Sequence, residues 1–362
     1  MATQKKLRVG VLMGGASAER QISLVSGMQI ARHLDPERYE VVMLDPLALM
    51  ANNPALSDEQ RALAARAVTG GGAPEALPAL DQELPAAMQA QMREASSALV
   101  PATTALSASP AGDRIDVAFI ALHGPWGEDG KLQGVLDLLG IPYTGSGVLA
   151  SALAMDKVMA KTVLAANGLD VPDGEVVLSV DDRPSIAPPS VVKPVENGSS
   201  FGLSLVDDAA QYPAAIAEAL RFDRRALVEE RIRGRELTVG VIGLDELQAL
   251  PVIEIVPKRA SFDYRAKYDS TASDELCPAP IPDDVARRAQ DFAVRAHRAL
   301  GCRGISRTDL MWDGARMAVL EVNTMPGMTP NSLVPKAAQV AGISYGELVD
   351  RLVGWAVEPR RR

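Results

Sequence analysis

The chain has 362 residues, of which 47% are hydrophobic, and its formal net charge is −9 at pH 7. This length predicts two or three domains with ample apolar residues for a core, and the acidic balance argues against general binding to nucleic acid or to a membrane surface. The two cysteines, Cys277 and Cys302, are too few for a disulfide framework or a zinc site, which favours the reducing cytoplasm.

Strand and helix patterns alternate at the start of the chain. The residues before Leu7 lack the apolar core of a signal peptide, and no apolar run reaches membrane-spanning length. Residues 7–13 predict a buried parallel strand, 14–20 a loop, 23–34 a helix and 39–44 a second strand. The glycines of the loop do not follow the dinucleotide fingerprint G-x-G-x-x-G.

Residues 47–112 differ in composition from the rest of the chain. They are rich in Ala, Pro and Gln and contain three consecutive glycines. We interpret this segment as an insertion of two short helices on linkers, outside the core.

A second strand–loop unit follows the insertion. Residues 115–122 predict a strand, and the loop 123–130 after it lies, like loop 14–19, at the carboxyl edge of the sheet, where ligands collect in open α/β folds. His123 is therefore a candidate ligand contact, although a lone histidine is more often structural. Helices are predicted at 132–139 and 148–166, the second ended by Asn167 and Gly168.

A phosphate-handling pattern begins near Lys193. The apolar strand 191–194 is followed by the Gly- and Ser-rich loop 195–202 and by a strand at 203–206. Such a loop presents backbone N–H groups to phosphates without side-chain obstruction, although most loops of this kind are only turns. Lys157, on the preceding helix, and Lys193 would neutralise the same polyphosphate.

Two strands around residues 226–241 are broken by a charged connection at 229–236. Main-chain groups at such a break suit a flat base, and a nearby carboxylate suits ribose hydroxyls. The alternative is a solvated connection, which is the more common meaning of a charge run.

Polar residues alternate along a predicted β-hairpin near the end of the chain. Arg307 and Asp309 lie on the strand before Asp313-Gly314, and Glu321 and Asn323 lie on the strand after it. Side chains two residues apart share a face, so the hairpin brings them together only if the parity of the pairing is right. A two-residue loop would place Glu321 and Asn323 on the face opposite to that of Asp309. We therefore predict a three-residue loop with Gly314 in the left-handed region as a G1 bulge. The oxygen ligands would then suit Mg²⁺, and the alternative is a solvent-facing polar strand.

The order of these motifs resembles that of ATP-grasp enzymes and, more narrowly, of D-alanine:D-alanine ligases. The resemblance covers nearly the whole chain outside residues 47–112. The segments that carry it are 14–20, 121–124, 127–130, 143–147, 155–157 and 321–329. Met325 and the Pro330-Asn331 pair depart from the pattern.

The resemblance implies an N-terminal open parallel α/β domain followed by an ATP-grasp fold, in which two α+β subdomains clasp ATP. We expect the N-terminal domain at 1–145, the central subdomain at 146–232 and the C-terminal subdomain at 233–362, with a mobile lid at 257–277. It also implies ATP and two Mg²⁺ as cofactors, with Mn²⁺ possible in their place. The partners would be ATP and two D-alanine molecules, with no nucleic acid or membrane, and the chain would form a homodimer in the cytoplasm.

The resemblance assigns roles residue by residue. The phosphate-binding residues would be Lys157, Lys193 and Lys267, covered by a loop with Ser199 and Ser200. The adenosine pocket would be lined by Glu229, Glu230, Ile232 and Glu236. The metal ligands would be Asp309, Glu321 and Asn323. Arg307 and the N–H of Gly327 would stabilise the tetrahedral oxyanion. Glu19, with His123 nearby, would bind the first D-alanine and be linked to Tyr268 through Ser199. Ser332 and Leu333 would meet the second D-alanine.

Two alternatives remain open at this point. One is a ligase that joins D-alanine to D-lactate or D-serine, which is disfavoured because the relatives that form depsipeptides typically carry histidine at the position of Tyr268. The other is a nucleotide-binding regulator without catalysis, which the complete set of Asp309, Glu321, Asn323 and Arg307 argues against.

Overall fold

The computed structural model describes residues 5–17, 19–50, 56–58, 60–62, 64, 89–91, 94–95, 99–101, 106, 114–198, 201–258 and 273–358. Two compact units are present: a first unit of residues 1–148 with 325–362, and a second unit of residues 149–324. No helix among the described residues is long and apolar enough to span a membrane.

A four-stranded parallel sheet forms the centre of the first unit. Its strands are β1 (Leu7–Leu12), β2 (Tyr39–Asp45), β3 (Val100–Pro101) and β4 (Val117–Ile120), in the order β3-β2-β1-β4. Helix α1 (Arg20–His33) connects β1 to β2, a 3₁₀ turn (Pro46–Met50) follows β2, and α2 (Lys131–Leu138) follows β4. The apolar runs of the sequence supply the buried strands, so the predicted parallel sheet is confirmed.

The last helices of the chain, α7 (Leu333–Val340) and α8 (Tyr345–Val357), belong to the first unit. Arg38 and the hydroxyl of Tyr39 each donate a 2.5 Å hydrogen bond to Asp350 on α8. Met325 is buried in the same core as Leu122 and Tyr143, which explains an apolar residue at this departure from the family pattern. Packing thus groups residues 325–362 with the N-terminal sheet. The sequence-based division into three domains had placed them with 233–324 in the C-terminal subdomain. The boundaries at 145 and 232 stay predictions.

Described parts of the segment 47–112 contribute to the core of the first unit. Leu56, Ala64, Ala95 and Leu106 are each at most 3% exposed. Leu56 and Ala64 join a cluster with Ala16 and Leu47 against which Trp126 packs. The interpretation of the whole segment as lying outside the core is therefore wrong at these positions, because small alanines and isolated leucines can fill a core without a marked apolar run.

The second unit contains two antiparallel sheets and four helices among the described residues. One sheet has the order β5-β8-β6-β7, from β5 (Gly174–Val177), β6 (Ser190–Pro194), β7 (Ser204–Val206) and β8 (Ala226–Glu230). The other has the order β12-β11-β9-β13-β14, with β10 paired to β9. Its strands are β9 (Arg235–Gly243), β10 (Leu247–Ala249), β11 (Ile253–Pro257), β12 (Ser273–Leu276), β13 (Gly304–Trp312) and β14 (Met317–Asn323). The helices are α3 (Val148–Met155), which begins at the unit boundary, α4 (Lys157–Ala166), α5 (Tyr212–Leu220) and α6 (Asp283–Ala299), and a 3₁₀ turn (Ala209–Gln211) precedes α5.

The helix predicted at 148–166 is two helices, α3 and α4, separated at Asp156. The carboxylate of Asp156 accepts hydrogen bonds of 3.0 Å from the backbone N–H groups of Val158 and Met159, so it caps a new helix. A single helix was the wrong prediction because the apolar pattern continues through the break. The end was correct: Gly168 has a φ of +72°, as expected for the residue after a helix.

The β13–β14 hairpin reaches the predicted parity by a different route. Trp312 pairs with Met317, so the connection spans residues 313–316 and the three-residue loop was the wrong prediction. The carboxylate of Asp313 accepts from the N–H groups of Ala315 and Arg316, which closes this longer turn, and Gly314 has the predicted positive φ. Leu310 pairs with Val319 but Asp309 with Glu321, so a bulge leaves Leu320 as the extra residue. The bulge restores the shared face of Asp309 and Glu321.

Candidate functional site

A cleft in the second unit gathers most of the predicted nucleotide-binding residues. Its cavity volume is about 260 Å³, near the lower end of the range of about 300–1,000 Å³ that is typical of ligand pockets. Polar lining residues are Lys157, Lys193, Asn197, Glu229, Glu230, Arg231, Glu236, Asp309 and Glu321. Apolar lining residues include Val191, Phe201, Leu203, Leu205, Ile232, Met311 and Leu320. The combination of an apolar wall and a cationic and acidic end fits a base joined to a polyphosphate–metal group.

The first turn of α4 carries Lys157 into this cleft. Its ammonium group donates to the backbone carbonyls of Asn197 and, at 3.4 Å, Val195. Both carbonyls belong to the Gly- and Ser-rich loop predicted to cover phosphates, and Asn197 and Gly198 line the cleft. The loop and the lysine are therefore brought together as predicted, while Ser199 and Ser200 lie outside the described residues.

A buried triad of charges forms one side of the cleft. Glu229 is 3% exposed, and its two carboxylate oxygens bind Lys193, at 2.6 Å, and Lys161. Burial lowers the pKa of Lys161 to about 8, helped by repulsion from Lys193. Burial also opposes the charge of Lys193, but attraction to Glu229 and Glu321 outweighs it and raises that pKa. For Glu229 the two ammonium groups outweigh burial and hold the pKa below its usual range, so the carboxylate is ionised.

The end of β8 leads into the predicted adenosine residues. Glu230, Ile232 and Glu236 all line the cleft. The Oε1 atom of Glu230 accepts from Arg316, at 2.7 Å, and from the backbone N–H of Asp173, at 3.0 Å. These two donors fix the position of one carboxylate oxygen of Glu230 at the edge of the cleft.

The shared polar face predicted from parity is present on β13 and β14. Asp309 lies opposite Glu321, and Arg307 lies opposite Asn323. The guanidinium of Arg307 donates to both oxygens of Asp309, at 2.9 and 2.7 Å, and Thr238 donates to the same carboxylate at 2.5 Å. Asp309 is 7% exposed, so these donors orient a largely buried charge.

The composition of this face limits what it can bind. Within the described ranges, no three His, Cys, Asp or Glu side chains converge as a metal-binding cluster. The predicted set instead has two carboxylates and one amide, and such oxygen donors suit Mg²⁺, which retains waters and takes one or two protein carboxylates together with substrate phosphates. The residues present therefore fit a magnesium–nucleotide group.

In the first unit, Glu19 and His123 are brought together at the end of β4. The hydroxyl of Ser17 donates to the carbonyl oxygen of His123 at 2.7 Å and accepts from the N–H of Glu19 at 3.2 Å. The ring Nε2 of His123 lies 3.3 Å from the hydroxyl of Ser26. Glu19 is 7% exposed and stands at the N-terminus of α1, where the helix dipole favours a carboxylate. A Cβ on Gly124 would lie 2.9 Å from Glu19 Oε2, and the φ of +71° at Gly124 favours glycine there.

The loop before α7 holds the predicted second-substrate residues. The hydroxyl of Ser332 lies 2.8 Å from that of Thr329 and accepts from the Thr329 N–H at 3.1 Å. A Cβ on Gly327 would lie 3.0 Å from the same hydroxyl, so Gly327 and Ser332 are neighbours. Leu333 begins α7, one residue after Ser332. Residues 259–272 of the predicted lid, which include Lys267 and Tyr268, lie outside the described residues.

Three residues of the second unit were not singled out from the sequence. Lys161 completes the buried triad, Thr238 orients Asp309, and Arg316 holds Glu230 and Asp170. A signal for Lys161 was available, because it lies four residues after Lys157 and so faces the same side of α4. Thr238 and Arg316 had no local signal, because their partners are distant in the sequence.

Comparisons with known proteins agree with this geometry. Residues 8–146 match the family model described as D-ala D-ala ligase N-terminus, and residues 175–354 match D-ala D-ala ligase C-terminus. A D-alanine–D-alanine ligase of Syntrophobacter fumaroxidans is 42% identical, covering 99% of this chain and 100% of that protein. One from Desulforudis audaxviator is 41% identical, covering 97% and 99%.

Solved structures show the same fold. The VanG D-Ala:D-Ser ligase from Enterococcus faecalis superimposes with a TM-score of 0.77 at 29% identity, covering 98% of this chain and 100% of that one. The D-alanine–D-alanine ligase from Bacillus anthracis complexed with ATP gives 0.70 at 28% identity, covering 97% of each chain. The predicted family and the predicted fold class are both confirmed. The chain belongs to the D-alanine–D-alanine ligase family of ATP-dependent ligases.

Proposed function

We propose that the chain joins two D-alanine molecules to D-alanyl-D-alanine through a D-alanyl phosphate, at the expense of ATP, for peptidoglycan precursors. The observation that carries the proposal is the cleft of the second unit, where Lys157, Lys193, Asp309 and Glu321 line one cavity beside an apolar wall. Cations and oxygen ligands together are what transfer of a γ-phosphate to a carboxylate requires, because both reactants are anionic.

Lys157 and Lys193 would bind the phosphates of ATP. Lys157 stands on the first turn of α4 and Lys193 near the end of β6, so each ammonium group is presented by a regular element. The apolar wall, including Leu320 and Met311, would pack against the base and exclude water. Neighbouring residues on a regular strand face opposite sides of the sheet. Leu320 and Glu321 nevertheless both line the cleft, because the bulge in β14 falls at Leu320.

Asp309, Glu321 and Asn323 would hold Mg²⁺. A bound magnesium would neutralise charge on the transferring phosphoryl group. Thr238 and Arg307 orient the carboxylate of Asp309. Arg307 would also donate to the oxyanion that forms when the second amine attacks the acyl phosphate.

The first unit would supply the amino-acid contacts. The buried carboxylate of Glu19 would accept from the ammonium group of the first D-alanine, and the loop of His123 and Gly124 would border it. Ser332 and Leu333 would contact the second D-alanine. Lys267, on the predicted lid, keeps its predicted role of binding phosphate, and Ser199 and Ser200 keep theirs on the phosphate-covering loop. Tyr268 keeps its predicted link to Glu19 through Ser199.

The identity of the second substrate is the main competing question. Ligases that use D-serine share this fold, as the VanG enzyme shows, while the curated relatives at about 40% identity carry the D-alanine name. Tyr268 favours D-alanine over D-lactate by resemblance. A regulator without catalysis is disfavoured because Arg307, Asp309 and Glu321 keep their joint geometry. Homodimerisation, a cytoplasmic location and Mn²⁺ in place of Mg²⁺ remain predictions.

Phosphate release from ATP tests the proposal. The purified chain would be supplied with Mg²⁺ and, in turn, D-alanine, L-alanine, D-lactate or D-serine alone and D-alanine mixed with D-lactate or D-serine. The products would be identified by mass spectrometry. We expect D-alanine alone to stimulate release and to yield the dipeptide. Stimulation only by a mixture of D-alanine with D-serine or D-lactate would support the alternative ligases, and no stimulation would support the regulator.

A further inference from the structure

The second unit contains a buried cation that the proposed reaction does not use. Lys161 lies on α4, one turn after Lys157, and its side chain is 10% exposed. It is not among the described residues that line the cleft, whereas its partner Glu229 and the next residue in the triad, Lys193, do line it. Lys161 therefore contacts Glu229 from behind the wall of the cleft.

Glu229 divides its charge between two ammonium groups. One oxygen binds Lys161 and the other lies 2.6 Å from Lys193, and the carboxylate is 3% exposed. If Lys193 turned towards a phosphate and nothing else bound Glu229, a buried carboxylate would lose its only counter-ion. Removing one partner of a buried ion pair is strongly unfavourable, so the phosphate would have to compete with that loss.

We propose that Lys161 is a positioning residue for ATP: it neutralises Glu229 from behind the cleft and so allows Lys193 to leave that carboxylate for a phosphate. Glu229 stays in place with one counter-ion, and its other oxygen is left for a donor on the nucleotide. The charged groups that face Lys161 are Glu229 on β8, Lys193 on β6 and Glu321 on β14. This inference rests on the proposed use of ATP but assigns a role to a residue outside the nucleotide contacts.

The inference is tested with a cycle of four proteins: wild type, Lys161→Met, Glu229→Gln and the double variant. Binding of ATP with Mg²⁺ is measured by titration calorimetry, and binding of adenosine by competition with ATP. The ratio of the two dissociation constants reports the contribution of the phosphates. A matched control, Arg298→Met, removes one positive charge from an exposed position on α6 of the same unit.

For Lys161→Met we expect the phosphate contribution to fall roughly 10- to 100-fold, the effect of losing one charge-assisted hydrogen bond. In the double variant Lys193 has no carboxylate to hold it, so most of that contribution should return. Arg298→Met should bind both ligands as wild type does. Circular dichroism and thermal unfolding confirm that each variant is folded.

If Lys161→Met alone does not fold, comparison of the double variant with Glu229→Gln still tests the coupling. The phosphates should contribute equally to ATP binding in these two proteins. A smaller phosphate contribution in the double variant would overturn the inference.

Three results would overturn the inference. Equal losses for adenosine and ATP would mean that Lys161 acts on the base contact alone, and no change in either would remove any role. Failure of the double variant to recover would mean that Lys161 acts on the phosphates directly. These outcomes differ from failure of the proposed function, in which wild type would not bind ATP or would bind it without turnover dependent on D-alanine.

Discussion

Asp156 provides the sharpest test of how the chain presents its phosphate-binding lysines. Its carboxylate caps α4 through Val158 and Met159 and also accepts a 2.8 Å hydrogen bond from Arg225. Asp156→Ala removes both interactions. Loss of an N-cap destabilises by about 1 kcal/mol, and a partly exposed ion pair contributes at most about 1 kcal/mol more. We therefore expect a total loss of about 1–2 kcal/mol.

For a domain of this size, that loss corresponds to a fall of roughly 2–8 °C in Tm. The matched control is Asp156→Asn, because asparagine caps a helix about as well as aspartate but cannot form the ion pair with Arg225. It should lose less than about 1 kcal/mol. Because Lys157 is the first residue of α4, Asp156→Ala should also raise KM for ATP more than kcat changes, while Asp156→Asn should leave both nearly unchanged.

Thermal and urea unfolding, followed by circular dichroism, and steady-state kinetics measure these differences. Burial raises the pKa of Asp156, but the hydrogen bonds from Met159 and Arg225 outweigh it and the net pKa is lowered. The stabilising contribution of the charge is therefore complete above the unfolded pKa of about 3.9 and is lost as pH falls through the lower folded value. The reasoning is refuted if Asp156→Ala and Asp156→Asn have the same stability at pH 7.

Three further predictions concern the metal face, the segment 47–112 and the lid. Glu321→Gln should reduce D-alanine-dependent turnover by at least about 100-fold while the protein stays folded, because it would remove the charge of a proposed metal ligand without changing its volume; normal turnover would defeat the magnesium assignment. Deleting residues 65–88 should leave the dipeptide-forming activity intact, and a deletion variant that folds but is inactive would contradict this prediction. Leu56→Ala should destabilise the first unit by about 2–5 kcal/mol, since Leu56 is 3% exposed. Urea unfolding of both variants measures these effects on stability. ATP, Mg²⁺ and a phosphinate analogue should together protect residues 257–277 from limited proteolysis, and unchanged cleavage there would exclude a closing lid.

Local sequence patterns were sufficient for the order of elements and for most candidate residues. Apolar runs mark the strands of the parallel sheet, and Gly168 and Gly314 mark the ends at which a positive φ is needed. Parity along β13 and β14 required a shared face for Asp309 and Glu321, because strand side chains alternate with a period of two. The long motifs indicated the family because they occur in order over nearly the whole chain.

The break at Asp156 was also encoded locally, although it was not recognised. An aspartate followed by two free backbone N–H groups is a standard helix start, but the apolar pattern on either side continues in phase. Hydrophobic periodicity alone therefore predicts one helix. The hydrogen bonds from the N–H groups of Val158 and Met159 to Asp156 show that a new helix begins there.

Only the tertiary structure decided how distant segments combine. Whether parity is restored in the turn or by a bulge at Leu320 depends on the pairing of the whole ladder, which includes the neighbouring strand β9. The pairing of Lys161 and Lys193 with Glu229 joins one helix and two strands, so no local pattern contains it. Burial of Leu56 and Ala64, and packing of α8 on the N-terminal sheet, likewise depend on contacts made after the chain has folded. Side-chain type and spacing therefore determined which groups are available, and packing determined which charges share a buried site, because the free energy of a buried charge depends on its neighbours in space.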